Sequence, residues 1–158
     1  MHVSLHAGVD IISCCDVRYC SSDSRFQIKE VDIGLAADIG TLQRLPKIVG
    51  NSSLVHELAY TARFFSSEEA ASMGLVSKIF PNKEEMMKGV MELADTIATK
   101  SPVAIYGTKV NLQYSRDHTV QDSLNYAATW NMAMLQTNDI PEAVQAFMSK
   151  KNPKFSKL

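Results

Sequence analysis

Apolar positions recur at helical spacing through most of the chain and alternate only in short stretches near its front. Residues 8–16, GVDIISCCD, predict a short, largely apolar helix, with Gly8 allowing close backbone approach at its start. VRYCSS, residues 17–22, and RFQIKE, residues 25–30, predict short strands, the second with partial alternation at Phe26 and Ile28. From Asp38, DIGTLQRLPKIVG sets Ile39, Leu42, Leu45 and Ile48 at helical spacing. Asp38 is the natural N-cap of that helix, Gly50 its stop and Pro46 the source of a kink or an early end.

The rest of the pattern is mainly helical. Residues 53–61 carry Leu54, Val55, Leu58 and Ala59 on one side, and Ser66 with Glu69 forms a capping-box pattern before a short helix that Gly74 ends. LVSKIF, residues 75–80, predicts the clearest later strand, closed by Pro81-Asn82. Met86, Val90, Leu93 and Ile97 then mark a long amphipathic helix. Ser101-Pro102 suits the start of the next helix, toward Tyr114; Thr119 with Asp122 opens another, through Leu135; a last short helix is expected after Pro141. Two or three short strands are too few for a covered sheet, which suggests that further strands lie upstream.

Composition narrows the class. The 158 residues suffice for one domain with a core, and 46% hydrophobic against 21% charged residues is ordinary for a soluble globular protein. Sixteen basic and seventeen acidic residues leave a net charge of -1 with no basic block, which argues against nucleic acid as a partner. Cys14, Cys15 and Cys20 read as buried, reduced thiols of an intracellular protein; CCDVRYC has no C-x-x-C pair, so no metal site is expected. No apolar run reaches the length of a membrane span, and the amino terminus resembles neither a signal nor a transit peptide. Ser156, Lys157 and Leu158 have the form of a C-terminal peroxisomal address, so a peroxisomal location and an import receptor as partner are expected.

Three acids invite attention, each with a plain structural reading. Asp10 falls in the first turn of a helix, where a carboxylate favours the dipole. Glu30 would end a strand in water, and Asp38 would cap a helix; Asp32, beside Ile33-Gly34, reads as a surface turn acid. Taken singly, these signals reach no further than a mostly helical α/β domain.

Their order and spacing reach further. GVDIISCCDVRYCSSDSRFQIKEVDIGLAADIGTLQRLPKIVG resembles the crotonase (enoyl-CoA hydratase/isomerase) superfamily, and the resemblance continues through ARFFSSEEAASMGLVSKIFP and SPVAIYGTKVNLQYSRD to EAVQAFMSKKNPKF. Within it, the combination of Asp10, Glu30 and Asp38 resembles the Δ3,5-Δ2,4-dienoyl-CoA isomerases; many relatives have Gly at the place of Asp38, and hydratases have Glu at that of Asp10.

The resemblance implies a crotonase-like ββα-spiral α/β fold, truncated on its N-terminal side. Residues 1–100 would be the partial spiral core with the acids, 101–155 a helical trimerisation region and 156–158 the targeting tripeptide. It also implies isomerisation of a 3,5-dienoyl-CoA to the 2,4-dienoyl isomer in fatty-acid β-oxidation, with proton transfer between C2 and C6 by Glu30 and Asp38. Asp10 would be a third pocket acid that tunes or orients the pair. Backbone N–H groups of Ala7 and Gly8 would hold the enolate oxygen, although the family's Gly-Gly-Gly is here His6-Ala7-Gly8. No metal and no separate cofactor is implied, coenzyme A being part of the acyl-CoA thioester substrate, and the assembly would be a homo-trimer or hexamer. The alternatives are a catalytically inactive oligomerisation module and an enoyl-CoA hydratase or Δ3-Δ2-enoyl-CoA isomerase. Asp38 speaks against the latter two enzymes, since neither reaction needs an acid near C6.

Overall fold

The structure, a computed structural model, describes residues 8–156. Cα packing divides the chain into two compact units, Met1–Val90 and Met91–Leu158.

In the first unit, helix α1 (Gly8–Cys14) leads to strand β1 (Tyr19–Ser21), which pairs in parallel with β4 (Lys78–Phe80), Tyr19 opposite Lys78 and Ser21 opposite Phe80. Strand β2 (Arg25–Phe26) pairs antiparallel with β3 (Phe65–Ser66), and the Phe26 and Phe65 rings stack with centroids 5.3 Å apart. The strand expected over 25–30 is therefore cut to two residues. Its partner is squeezed between helices α3 (Ser52–Thr61) and α4 (Ser67–Ser72), which leaves no room for a longer ladder. Beyond it the chain enters a 3₁₀ helix at Glu30–Ile33, so Glu30 opens a turn rather than ending a strand.

Helix α2 (Thr41–Ile48) begins three residues after Asp38, and its N-cap is Gly40, which corrects the expected Asp38 cap. Pro46 sits in its last turn, two residues before the helix stops. Helix α3 is capped by Asn51, whose side chain accepts from the Leu54 N–H at 3.1 Å. The Ser66 hydroxyl caps α4 through the Glu69 N–H at 3.3 Å. The expected box is only half made, because the Glu69 carboxylate turns instead to Arg63, at 2.6 and 3.0 Å. Val9, Phe26, Leu45, Leu58, Phe65 and Leu75 lie at the centre of this unit's core. Of the cysteines, Cys20 is buried as expected, but Cys14 and Cys15 are exposed, since α1 turns its C-terminal end outward.

The division between units falls within helix α5 (Lys83–Ala98). The second unit continues with α6 (Pro102–Tyr114), capped by Ser101, and α7 (Val120–Met134), capped by Thr119. Helix α8 (Asp139–Met148) starts before Pro141, which occupies the first turn, where a missing N–H costs nothing. Helices α6 and α7 meet at Gly107, where a Cβ would come within 2.8 Å of Trp130 Nε1. These helices bury only Gly107 and Ala146, leaving Leu112, Leu124, Met132, Leu135, Val144 and Phe147 exposed. Among the described residues no helix is long and apolar enough to cross a membrane.

Candidate active site

Two short segments of the first unit invert the usual pattern. In α1, Asp10 is 2% exposed and Ser13 is fully buried, whereas Ile11 is 63% exposed. In the 3₁₀ helix Glu30 is 8% exposed while Ile33 is 66% exposed. Folding does not turn carboxylates inward and isoleucines outward for the sake of stability. An inverted segment of this kind is a candidate binding surface.

The Asp10 carboxylate is committed. Its Oδ1 accepts from the Thr41 N–H at 2.8 Å and from the Thr41 hydroxyl at 2.7 Å. It thus supplies, from α1, the cap that Gly40 cannot give to α2, satisfying an amide that would otherwise lack a partner. Glu30 differs. Its Oε2 is buried with no hydrogen-bond partner among the described residues. Only its backbone is engaged, the Glu30 carbonyl accepting from the Leu35 N–H at 3.0 Å. Gly34, at φ 77°, makes that reversal.

Asp38 is exposed, on the loop between this turn and α2, with exposed Leu35 before it and Ile39 after it. The loop is anchored at both ends, by Leu35 to Glu30 and by Thr41 to Asp10. The structure therefore joins the neighbourhoods of Asp10 and Asp38 through Thr41, and those of Glu30 and Asp38 through the Leu35 amide, three positions before Asp38. Asp32 is exposed, as expected. Gly8 opens α1, where a first-turn amide has no intrahelical acceptor. Ala7, Lys157 and Leu158 lie outside the described residues, and Ser156 is exposed. Among the described residues no group of three or more His, Cys, Asp or Glu could hold a metal ion.

Thr41 and Arg44 carry no signal of their own in the sequence, and Gly40 shows there only as punctuation of the stretch. The available signal was a glycine directly before a helix, which leaves the first amides without a side-chain cap.

A buried carboxyl without a partner, a capping acid and an exposed acid, set among outward-facing apolar side chains, form a candidate acid–base site for a partly apolar ligand. The chain belongs to the enoyl-CoA hydratase/isomerase family, whose pattern it matches over residues 3–157. It is 60% identical over 154 residues to the mitochondrial Delta(3,5)-Delta(2,4)-dienoyl-CoA isomerase of Rattus norvegicus, covering 96% of this chain and 47% of that protein. With the peroxisomal Delta(3,5)-Delta(2,4)-dienoyl-CoA isomerase of Arabidopsis thaliana it shares 54% identity over 151 residues, covering 96% and 54%. An enoyl-CoA hydratase structure from Bacillus anthracis superimposes with a TM-score of 0.91 at 26% identity, over 97% of this chain and 58% of that one. The enoyl-CoA hydratase EchA1 of Mycobacterium marinum gives 0.90 at 27%, over 98% and 62%. The crotonase-like fold and the family resemblance are borne out. The chain spans about half the length of the curated relatives it matches.

Proposed function

We propose that the chain carries the proton-transfer half of a Δ3,5-Δ2,4-dienoyl-CoA isomerase site. The observation that carries this is the unpartnered, buried carboxyl oxygen of Glu30 beside a loop that presents Asp38. A buried acid that nothing in the fold satisfies is costly and marks a functional group. The exposed side chains of Ile33, Leu35 and Ile39 suit the hydrocarbon part of an acyl thioester.

The chemistry uses two carboxyl groups at opposite ends of a conjugated system. One accepts the C2 proton, made acidic by the thioester, and the resulting dienolate spreads its charge to C6. The other, protonated, delivers a proton there. Glu30 and Asp38 are that pair, and Asp10 orients the Asp38 loop through Thr41. The N–H groups of Ala7 and Gly8 serve the thioester oxygen as the charge develops. Coenzyme A enters as part of the substrate, and the steps above run on carboxyl groups and amides. Ser156-Lys157-Leu158 would direct the protein to peroxisomes through the import receptor.

The test is the ultraviolet spectrum of a 3,5-dienoyl-CoA mixed with the purified chain, with Asp38→Asn as control. Conjugation of the diene with the thioester carbonyl moves absorption to longer wavelength. The expected result is a shift with the chain and a loss of at least about a hundredfold in rate with the variant. Equal rates would reject Asp38.

A second reading, favoured by the exposed apolar stripes of α6–α8, is an oligomerisation module that assembles with longer relatives without turnover of its own. A folded chain that leaves the substrate unchanged yet co-purifies with a longer relative would establish it.

A further inference from the structure

Resting on the acid–base reading above, we propose that Arg44 is a positioning residue: its guanidinium locks the loop bearing Asp38 onto helix α1. Arg44 lies one turn into α2, yet its donors serve other segments. Nε donates to the Ser13 hydroxyl at 2.8 Å, and Nη2 donates to the Asp10 carbonyl at 3.0 Å and to the Ile39 carbonyl at 2.8 Å. The Ser13 hydroxyl itself donates to the Asp10 carbonyl at 2.7 Å. One planar group therefore holds the carbonyl of Asp10 and the carbonyl next to Asp38 in a single frame.

The lock is reciprocal. The Asp10 carboxylate reaches from α1 to the first amide of α2, while Arg44 reaches from α2 back to α1 and to the loop. Gly40 makes this possible in two ways. Its φ of 113° is a conformation that side chains rarely adopt, and a Cβ there would lie 2.1 Å from Arg44 Nη1. The glycine leaves the space that the guanidinium fills. A plain tie between α1 and α2 would not need the bond to Ile39, because Val9 and Leu45 already share the core. That bond acts on the loop alone, and so on the placement of Asp38. Lysine cannot replace the guanidinium, since a lone ammonium does not offer one donor to the Ser13 hydroxyl and, in the same fixed plane, a second nitrogen to the two carbonyls.

The experiment compares the chain with Arg44→Lys and Gly40→Ala by amide hydrogen exchange and by dienoyl-CoA turnover. Both variants are expected to speed exchange at the Thr41 amide by about tenfold or more while the α3 amides of Leu58 and Ala59 keep their protection. Turnover should fall in kcat by about 10–100-fold with KM within about threefold, because geometry is lost and not binding. Unchanged protection at Thr41 in Arg44→Lys, or loosened protection with kcat intact, overturns the proposal. If the parent chain itself converts no substrate, the acid–base reading falls, and exchange at Thr41 still decides whether the lock exists.

Discussion

Glu30 and Asp10 show how two buried carboxylates differ in what the fold asks of them. Asp10 has two donors on one oxygen and holds α2 in place. Glu30 has a buried oxygen with none, so it weakens the fold it sits in. Glu30→Met should therefore raise the unfolding free energy by about 1–2 kcal/mol, read from the urea midpoint, and on the proposed function it should also end turnover. A loss of stability in that variant would mean that the carboxylate has a partner in solution. The spacing of the three acids was legible in the sequence. Their division of labour was not, because the partner of Asp10 lies thirty-one positions away and the cap it supplies belongs to another helix.

At the scale of elements, α4 is held by an ion-paired corner. Arg63 at the end of α3 donates to both oxygens of Glu69 and, at 2.8 Å, to Glu57. The Arg63 hydrogen bonds hold the Glu69 carboxyl below the ordinary glutamate range. A carboxyl depressed on folding contributes stability above its unfolded pKa and loses it as pH falls through the folded one. The thermal midpoint should thus fall on acidification below the ordinary glutamate range. Glu69→Gln should start lower at neutral pH and show a flatter acid limb, the two curves converging at low pH. Parallel curves would assign the acid sensitivity to other groups. The helices themselves were readable from caps and periodicity: Ser101 and Thr119 accept from Ala104 and Asp122 as their sequence positions suggest. The strand over 25–30 and the start of α2 were not, since a ladder ends where its partner ends and a cap can come from elsewhere.

For the whole molecule, the contrast between units carries the argument. The first unit has a contiguous core, whereas α6–α8 bury no large side chain and leave Phe147 85% exposed. Apolar surface on this scale marks an interaction face. The chain is expected to sediment as a trimer or a larger assembly, and Phe147→Glu with Leu135→Glu to shift it toward the monomer without loss of helical circular dichroism. A monomeric parent chain at micromolar concentration would remove the oligomerisation role.

The sequence by itself determined the helices, the family and the positions of the candidate acids, because periodicity, capping residues and motif spacing are local or nearly local properties. Only the tertiary structure decided which acid is spent and which is free. It alone revealed that Gly40 makes room for Arg44 and that isoleucines flank the acids on the outside. Those are facts about what lies across a gap in space, and hydrogen-bond satisfaction and burial are settled there by segments that the chain order keeps apart.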